Sequence, residues 1–221
     1  MNKNSVVILI SANAEWQVVK DLLAPTGVQA SPLGETFGTP EATYFHGGWG
    51  KISAAATAQY VIDHFRPGLL VNLGTCGGFA GRIERGALLL VTETIVYDIL
   101  EQMGDAEEAI AHYSSQLDLS WLEPPYPQEV MPGRLVSADR DLVPADIPML
   151  VEKYEAVAAD WESGAIAWVA KRNGTRCLIL RGVTDLVDAD GGEAYGNLEL
   201  FHERTQTIMK TLVEGLPHWL G

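Results

Sequence analysis

The sequence predicts an α/β protein built as one domain. Short apolar runs rich in β-branched residues alternate along the chain with segments whose apolar residues recur at helical spacing. Of the 221 residues 47% are apolar, which is enough for one substantial hydrophobic core. Several apolar runs end in a carboxylate or a glycine-rich segment, where open α/β sheets place their ligand chemistry. We therefore expect a single domain over residues 1–221 with one cleft at its strand ends.

The first half of the chain predicts strands and helices in alternation. Small alanines allow the second helix to pack closely on a sheet, and Pro67-Gly68 ends it. The last strand of this half has thirteen residues, more than a typical strand, so we expect a bulge or bend in it. The predicted elements are a strand at Val6–Ile10, helices at Glu15–Leu23 and Lys51–Phe65, and strands at Leu69–Leu73 and Ala87–Ile99, the last two joined by a Gly74–Gly86 turn.

The second half begins with a segment of weak periodicity, Leu100–Pro132, which carries a cluster of prolines. It predicts a short helix and then an irregular excursion, and excursions of this length are often functional. Three strands are predicted after it: one at Arg134–Ser137, one that leads to Glu162 and one that leads to Asp185. The predicted helices are Pro148–Tyr154, Ser163–Asn173 and about Leu198–Glu214.

Charge and composition limit the classes of partner. The net charge of −14 argues against nucleic acids and anionic membranes, which require clustered Lys and Arg, so we expect a small-molecule ligand. No apolar stretch approaches the roughly 20 residues of a membrane span. The two cysteines and the lack of a signal-like N-terminus predict a cytoplasmic protein with free thiols. The histidines and cysteines show no metal-ligand spacing, and there is no dinucleotide-binding glycine motif, so neither metal nor cofactor is implied.

Polar residues follow four of the predicted strands. They are Glu15, the glycine-rich Gly74–Gly78, the carboxylates of Asp160-Trp161-Glu162, and Arg181 with Asp185. Because Arg181 lies four residues before Asp185, an extended strand would leave both side chains on one face. Four polar sites at four strand ends indicate one shared cleft.

Five segments carry polar or glycine-rich motifs in a fixed order: Ser11–Glu15, Gly47–Lys51, Asn72–Gly78, Asp160–Ala167 and Arg181–Asp185. Together they resemble the nucleoside phosphorylase and nucleosidase superfamily, and the resemblance is closest to its 5′-methylthioadenosine/S-adenosylhomocysteine nucleosidase branch. Each motif alone is weakly specific, but their order and spacing match across nearly the whole chain. This resemblance implies a three-layer α/β/α fold with a central mixed sheet, and a homodimer in contact through Lys51–Phe65 and Leu100–Pro132.

The resemblance also implies roles in cleaving a ribose–purine bond, which needs an acid at the base and a stabilising anion at the sugar. Asp185 would be the acid that contacts the purine, Glu162 would bind the ribose hydroxyls, and Glu15 would activate water. Each carboxylate has a plainer alternative, either a turn cap or a favourable charge at a helix start. Arg181 would pair with Glu15 or Glu162, lower their pKa and keep them ionised, unless it forms a purely structural ion pair.

Further residues are candidates for binding substrate. Thr75 offers a hydroxyl and a backbone N–H to a water or a sugar oxygen, and the neighbouring glycines let backbone approach closely. Tyr195 falls near the aromatic residue that closes over the sugar end in the family, or it is a packed loop residue. The candidate substrate-binding residues are Thr75, Gly78, Trp161, Glu162, Thr184 and Tyr195.

One position bears on the attacking nucleophile. In related phosphorylases the residue two before the glycine segment is typically a phosphate-binding Arg, and here it is Asn72. Between Val6 and Leu23 the only basic residue is Lys20. Without a cationic clamp, hydrolysis is favoured over phosphorolysis, although Asn72 could simply be structural.

One departure from the family concerns the base. Asp141 stands where the family usually has a Phe that stacks on the purine, and a carboxylate cannot stack. Either Trp161, Tyr97 or another aromatic covers the base, or the base is not adenine.

From the resemblance as a whole we expect a purine nucleoside N-ribohydrolase acting on 5′-methylthioadenosine or S-adenosylhomocysteine. A phosphate-dependent phosphorylase of the same fold and a non-catalytic nucleoside-binding protein are the alternatives.

Overall fold

The computed structural model describes residues 5–220 and contains a mixed β-sheet with helices on both faces. The strands are β1 Val6–Ile10, β2 Gln29–Ala30, β3 Glu35–Gly38, β4 Thr43–His46, β5 Leu69–Phe79, β6 Leu88–Val96, β7 Ser115–Gln116, β8 Met131–Ser137, β9 Ala156–Asp160, β10 Cys177–Asp188 and β11 Gly191–Gly192. The helices are α1 Asn13–Leu23, α2 Gly50–Phe65, α3 Ala106–Tyr113, α4 Ile147–Tyr154, α5 Ser163–Arg172 and α6 Leu198–Leu220, with a 3₁₀ turn at Pro144–Asp146.

The long strands β5 and β10 run side by side and organise the sheet. β5 pairs in parallel with β1 and with β10, and its carboxyl-terminal half also pairs antiparallel with β9. β10 pairs antiparallel with β6, and parallel pairings lead from β6 through β8 to β9. These pairings close a ring of β5, β10, β6, β8 and β9, while β4, β3 and β2 extend the sheet beyond β1.

Side-chain alternation in β10 divides the core between the two faces of the sheet. Cys177 and Ile179 pack with residues of α2 and α5, whereas Leu178 and Leu180 pack with residues of α1 and α6. The predicted three-layer arrangement with a mixed central sheet is therefore confirmed. Within residues 5–220, none of the helices combines the length and apolarity needed to cross a bilayer.

Most predicted elements are present, with shifted ends. The predicted long strand is β6, and its register against β8 shifts between Val91 and Glu93, which confirms the expected bulge. The last helix continues past Glu214 to Leu220. The strands β2, β3 and β4 were not predicted, because their short segments carry too few residues for a clear alternation.

The predicted Gly74–Gly86 turn is wrong in its first part, because Gly74–Gly78 continues β5, which ends at Phe79. Gly77 pairs with β9 on one side and with β10 on the other. A Cβ at Gly78 would lie 2.7 Å from the side chains of both Ile83 and Val183. The glycines therefore allow close packing inside the strand ring rather than a reversal of the chain.

Candidate active site

Glu15 is a buried carboxylate in the first turn of α1, directed at the carboxyl-terminal half of β5. Its side chain lies there because β1 ends at Ile10 and α1 begins only three residues later. Oε1 accepts hydrogen bonds from the N–H and the hydroxyl of Thr75 at 2.6 and 2.8 Å, and Oε2 accepts one from the N–H of Ala12 at 3.2 Å. The two Thr75 donors, predicted to face a water or a sugar, thus donate to Glu15.

Gly74 leaves room for two charged groups beside β5. A Cβ on Gly74 would lie 2.5 Å from Nη1 of Arg181 and 3.0 Å from Oε1 of Glu15, so any side chain there would displace one of them. Burial raises the pKa of Glu15 above its ordinary value, and this effect outweighs the opposing influence of Arg181 and of the Thr75 and Ala12 donors.

Arg181 forms its ion pair with Asp160, and not with Glu15 or Glu162 as predicted. Its Nε donates to Oδ2 of Asp160 at 2.9 Å, and both side chains are at most 3% exposed. Its Nη2 donates to Oδ1 of Asn72 at 2.5 Å. The guanidinium lowers the pKa of both glutamates, yet burial has the larger effect and their net shifts are upward. Arg181 thus acts on both pKa values in the predicted direction, but the expected net lowering is wrong.

Asp160 is the buried carboxylate to which sequence reasoning gave no role. Besides Arg181, it accepts hydrogen bonds from the hydroxyl of Ser137 at 2.6 Å and from the N–H and hydroxyl of Ser163 at the start of α5. Its spacing of three residues before Ser163 is the signal that could have identified it as a cap for that helix. Asp160 therefore fixes Arg181 and the end of β9 together.

Glu162 is joined to the start of α2. Its Oε1 accepts a hydrogen bond from the N–H of Gly50 at 3.0 Å. Burial, and then the nearby carboxylate of Asp160, raise the pKa of Glu162 to about 8, against the lowering effects of the Gly50 N–H and Arg181. The Glu162 carboxyl group therefore retains its proton to higher pH than an ordinary glutamate does.

Asp185 lies in β10 beside a hydroxyl donor. The residue is 6% exposed, and the hydroxyl of Thr184 donates to its Oδ1 at 2.9 Å. Burial raises the pKa of Asp185, while the Thr184 hydroxyl, the Ala194 N–H and the charge of Arg204 oppose this in part. A buried carboxyl group with a raised pKa retains its proton to higher pH, as a general acid must.

Arg181 and Asp185 do not share a face of β10, contrary to the prediction. The register of β10 against β5 shifts between Val183 and Asp185, so that Thr184 is an extra residue. The side chains of Val183 and Leu186 both approach the position of a Cβ on Gly78 and therefore lie on one face. Asp185 consequently lies on the other face, near Arg204 of α6.

Tyr195 bridges two loops next to Asp185. Its hydroxyl donates to the carbonyl oxygen of Leu142 at 2.8 Å, and a Cβ on Gly192 would lie 2.5 Å from its ring. Burial, with the carboxylates of Asp141 and Asp185, raises the pKa of Tyr195 to about 12. Tyr195, the candidate for the sugar end, therefore lies close enough to Asp141 and Asp185 for both charges to affect its pKa.

The two aromatics named as candidates for covering the base, Trp161 and Tyr97, have different surroundings from each other. Trp161 is 37% exposed, directly after β9. Tyr97 is buried, and the guanidinium of Arg140 lies 5.2 Å from the centre of its ring.

The structure brings Glu15, Thr75 and Arg181 together at β5. Glu162 is linked to this group through the charges of Asp160 and Arg181. Asp185 lies opposite Gly77 of the same strand.

The chain is similar to known proteins of one superfamily. A family model described as the phosphorylase superfamily matches residues 33–216. Two relatives described as 5′-methylthioadenosine/S-adenosylhomocysteine nucleosidases come from Maridesulfovibrio salexigens and Geobacillus kaustophilus. The first is 28% identical over 166 residues, covering 70% of this chain and 72% of the relative. The second is 25% identical over 173 residues, covering 70% and 71%.

The fold is shared with solved structures. The apo structure of Arabidopsis thaliana 5′-methylthioadenosine nucleosidase superposes with a TM-score of 0.78 at 22% identity, covering 96% of this chain and 95% of that one. The nucleosidase of S. pneumoniae, solved with a transition-state inhibitor, superposes with a TM-score of 0.75 at 19% identity and covers 98% of each chain. The predicted nucleoside phosphorylase-like fold is confirmed.

Proposed function

The chain belongs to the phosphorylase superfamily, and from this premise we propose that it is a purine nucleoside N-ribohydrolase acting on 5′-methylthioadenosine or S-adenosylhomocysteine. The observation that carries the proposal is the set of three carboxyl groups with raised pKa, Glu15, Glu162 and Asp185, arranged around the carboxyl-terminal half of β5. The sequence relatives carry these two substrates in their names.

Asp185 is the proposed acid. When the bond between ribose and purine breaks, the electron pair stays on the base, and a proton delivered to the purine ring neutralises it. The raised pKa of Asp185 keeps that proton available, and the Thr184 hydroxyl, 2.9 Å from Oδ1, holds the carboxyl group in place.

Glu162 is the proposed ligand of the ribose hydroxyls. Two hydroxyl donors would favour its carboxylate form, so we expect substrate binding to lower its pKa from about 8. A carboxylate at this place then stabilises the positive charge that develops on the sugar.

Glu15 is the proposed base for the attacking water. Its raised pKa makes it a better proton acceptor near neutral pH than an ordinary glutamate. The two Thr75 donors on Oε1 fix the orientation of the carboxylate, and the Ala12 N–H is the weaker donor on Oε2 at 3.2 Å. Oε2 is therefore the oxygen better placed to accept a bond from water.

Water is the proposed nucleophile because Asn72 supplies no charge for a phosphate dianion. Asn72 is fully buried, its Nδ2 donates to the Leu9 carbonyl oxygen at 3.0 Å, and its Oδ1 accepts from Arg181. Both ends of this amide are therefore engaged within the protein. The Arg181 guanidinium is in turn paired with Asp160.

We further propose a homodimer and a cytoplasmic location. Large apolar side chains are exposed at the start of α2 and in the excursion, with Trp49 at 62%, Ile52 at 84%, Leu100 at 87% and Met103 at 99%. An exposed group of this kind favours association with another surface. The free thiols of Cys76 and Cys177 support a reducing compartment.

A nucleoside panel tests the proposed function. The protein is incubated with 5′-methylthioadenosine, S-adenosylhomocysteine, adenosine and inosine, and the free base is measured by chromatography, with Asp185→Asn as the matched inactive variant. We expect release of adenine from the two 5′-thio nucleosides by the wild type alone. Binding without release of base would instead favour the non-catalytic nucleoside-binding protein.

A further inference from the structure

We propose that Asp139 is a positioning residue for Glu162 and acts through the first turn of α2. The importance of Glu162 for catalysis rests on the proposed function, whereas the mechanical link between the two carboxylates stands on geometry alone. Asp139 lies in the loop after β8, and Glu162 follows β9, so the start of α2 is the structure that both contact.

The first two N–H groups of α2 are bound by carboxylates that are distant in sequence. Trp49, at the N-cap position, provides no side-chain hydrogen bond to the helix. Instead, the N–H of Gly50 donates to Glu162 at 3.0 Å, and the N–H of Lys51 donates to Oδ1 of Asp139 at 2.7 Å. These N–H groups have no partner within a helix, so the two carboxylates replace the missing cap.

Asp139 is itself held on two sides. Its N–H donates to Oδ2 of Asp98 at 3.0 Å, and its Oδ2 lies 3.6 Å from Nζ of Lys51. Lys51 also forms an ion pair with Asp98, and both of these side chains are only 19% exposed. Lys51, Asp98 and Asp139 therefore form a small triangle that fixes where α2 begins.

Gly50 makes the positions of the two carboxylates depend on each other. Its φ of +75° is in the left-handed region that favours glycine, and a Cβ there would lie 2.8 Å from Oδ1 of Asp139. Without Asp139 the N–H of Lys51 loses its acceptor, and the adjacent peptide is free to rotate. The Gly50 N–H would then no longer be held towards Glu162.

The test compares two variants of the full chain. Asp139→Ala removes the acceptor of the Lys51 N–H, whereas Asp139→Asn retains a carbonyl oxygen at that place. Thr39→Ala is the matched control, because it also removes a side-chain acceptor of backbone N–H groups, those of Glu41 and Ala42. This turn precedes β4, whereas α2 begins after β4, at the other end of the strand.

Two readouts do not depend on turnover. The first is amide hydrogen exchange at Gly50 and Lys51 by NMR, and the second is the ¹³C titration of the Glu162 carboxyl group. The other charged groups facing Glu162, which are Asp160, Arg181 and Glu15, are unchanged in all variants. The Gly50 N–H lowers the Glu162 pKa, so its loss should move the titration midpoint upward.

For Asp139→Ala we expect the amide hydrogen of Gly50 to exchange about tenfold faster, because the loss of a helix cap has about this effect. The midpoint of the Glu162 titration should rise, and kcat/KM should be about tenfold lower. Asp139→Asn and Thr39→Ala should leave exchange at Gly50 and the titration near wild type. Should Asp139→Ala not fold, Asp98→Asn weakens the same triangle. Unchanged exchange and titration in a folded Asp139→Ala or Asp98→Asn variant would overturn the inference, whereas a wild type without hydrolysis would overturn only the proposed function.

Discussion

Thr75 donates both its backbone N–H and its hydroxyl to the same oxygen of Glu15, at 2.6 and 2.8 Å. This arrangement joins the first turn of α1 to the middle of β5 and holds a buried carboxylate in one orientation. Hydrogen bonds to a charged acceptor stabilise the ionised form, so Thr75 partly offsets the burial that raises the pKa of Glu15.

Thr75→Val should therefore impair catalysis with little effect on the fold. Valine keeps the shape of threonine but lacks the hydroxyl, so the Glu15 pKa should rise further and the carboxylate should be less well oriented. We expect kcat to fall about tenfold or more, the usual size of a hydrogen bond to a charged group. The pH dependence of kcat provides the measurement, with Thr75→Ser as the control; equal effects of Val and Ser would argue against this role of the hydroxyl.

Asp185→Asn should abolish most turnover in a folded protein. Asparagine keeps the shape and the bond to Thr184 but has no carboxylic proton to deliver to the base. We expect a loss of about 10²–10⁴ in kcat. Single-turnover kinetics measures the rate of base release, and circular dichroism checks that the variant is folded. A folded variant with wild-type kcat would remove Asp185 from the mechanism.

Glu15→Gln should separate substrate binding from chemistry. The amide can still accept from Thr75 and fill the buried site, yet it cannot take a proton from water. We therefore expect a large loss in kcat with nearly unchanged nucleoside affinity by calorimetry. Complete loss of nucleoside binding in this variant would show that Glu15 serves the ligand rather than the water.

Substrate binding at pH 7 should release a proton from Glu162. Below its pKa of about 8 the free protein holds this carboxyl group protonated, and the ribose hydroxyls favour the ionised form, so the proton leaves on binding. Calorimetry in buffers of different ionisation enthalpy counts the protons, and Glu162→Gln gives the background. Equal proton release by the wild type and this variant would contradict the assignment to Glu162.

The sequence was informative where the signal is local. The β-branched run Val6–Ile10 matches β1, and the small-residue helix predicted from Lys51 begins one residue earlier, at Gly50. Glycine also favours turns, so the sequence predicts a turn at Gly74–Gly78. The glycines there instead allow close packing of neighbouring strands, which a local pattern does not reveal. The extra residue Thr184 has no local signature and reverses the expected orientation of Asp185.

The candidate site was predictable as a set of residues but not as a set of contacts. Arg181 and Asp160 are 21 residues apart, and Gly50 and Glu162 are 112 residues apart, so only the closed strand arrangement shows that these groups meet. The direction of the glutamate pKa shifts was likewise missed, because burial of the site is a property of the whole fold.

The identity of the nucleophile tests the central proposal most directly. Cleavage of 5′-methylthioadenosine is followed in phosphate-free buffer made with ¹⁸O-labelled water, and the sugar product is analysed by mass spectrometry. We expect an unchanged rate without phosphate and one labelled oxygen at the anomeric carbon of a free sugar, because Asn72 and the paired Arg181 offer no cationic site for a dianion. A phosphorylated sugar as the main product, or a rate that rises in proportion to added phosphate, would contradict hydrolysis and establish the phosphorylase.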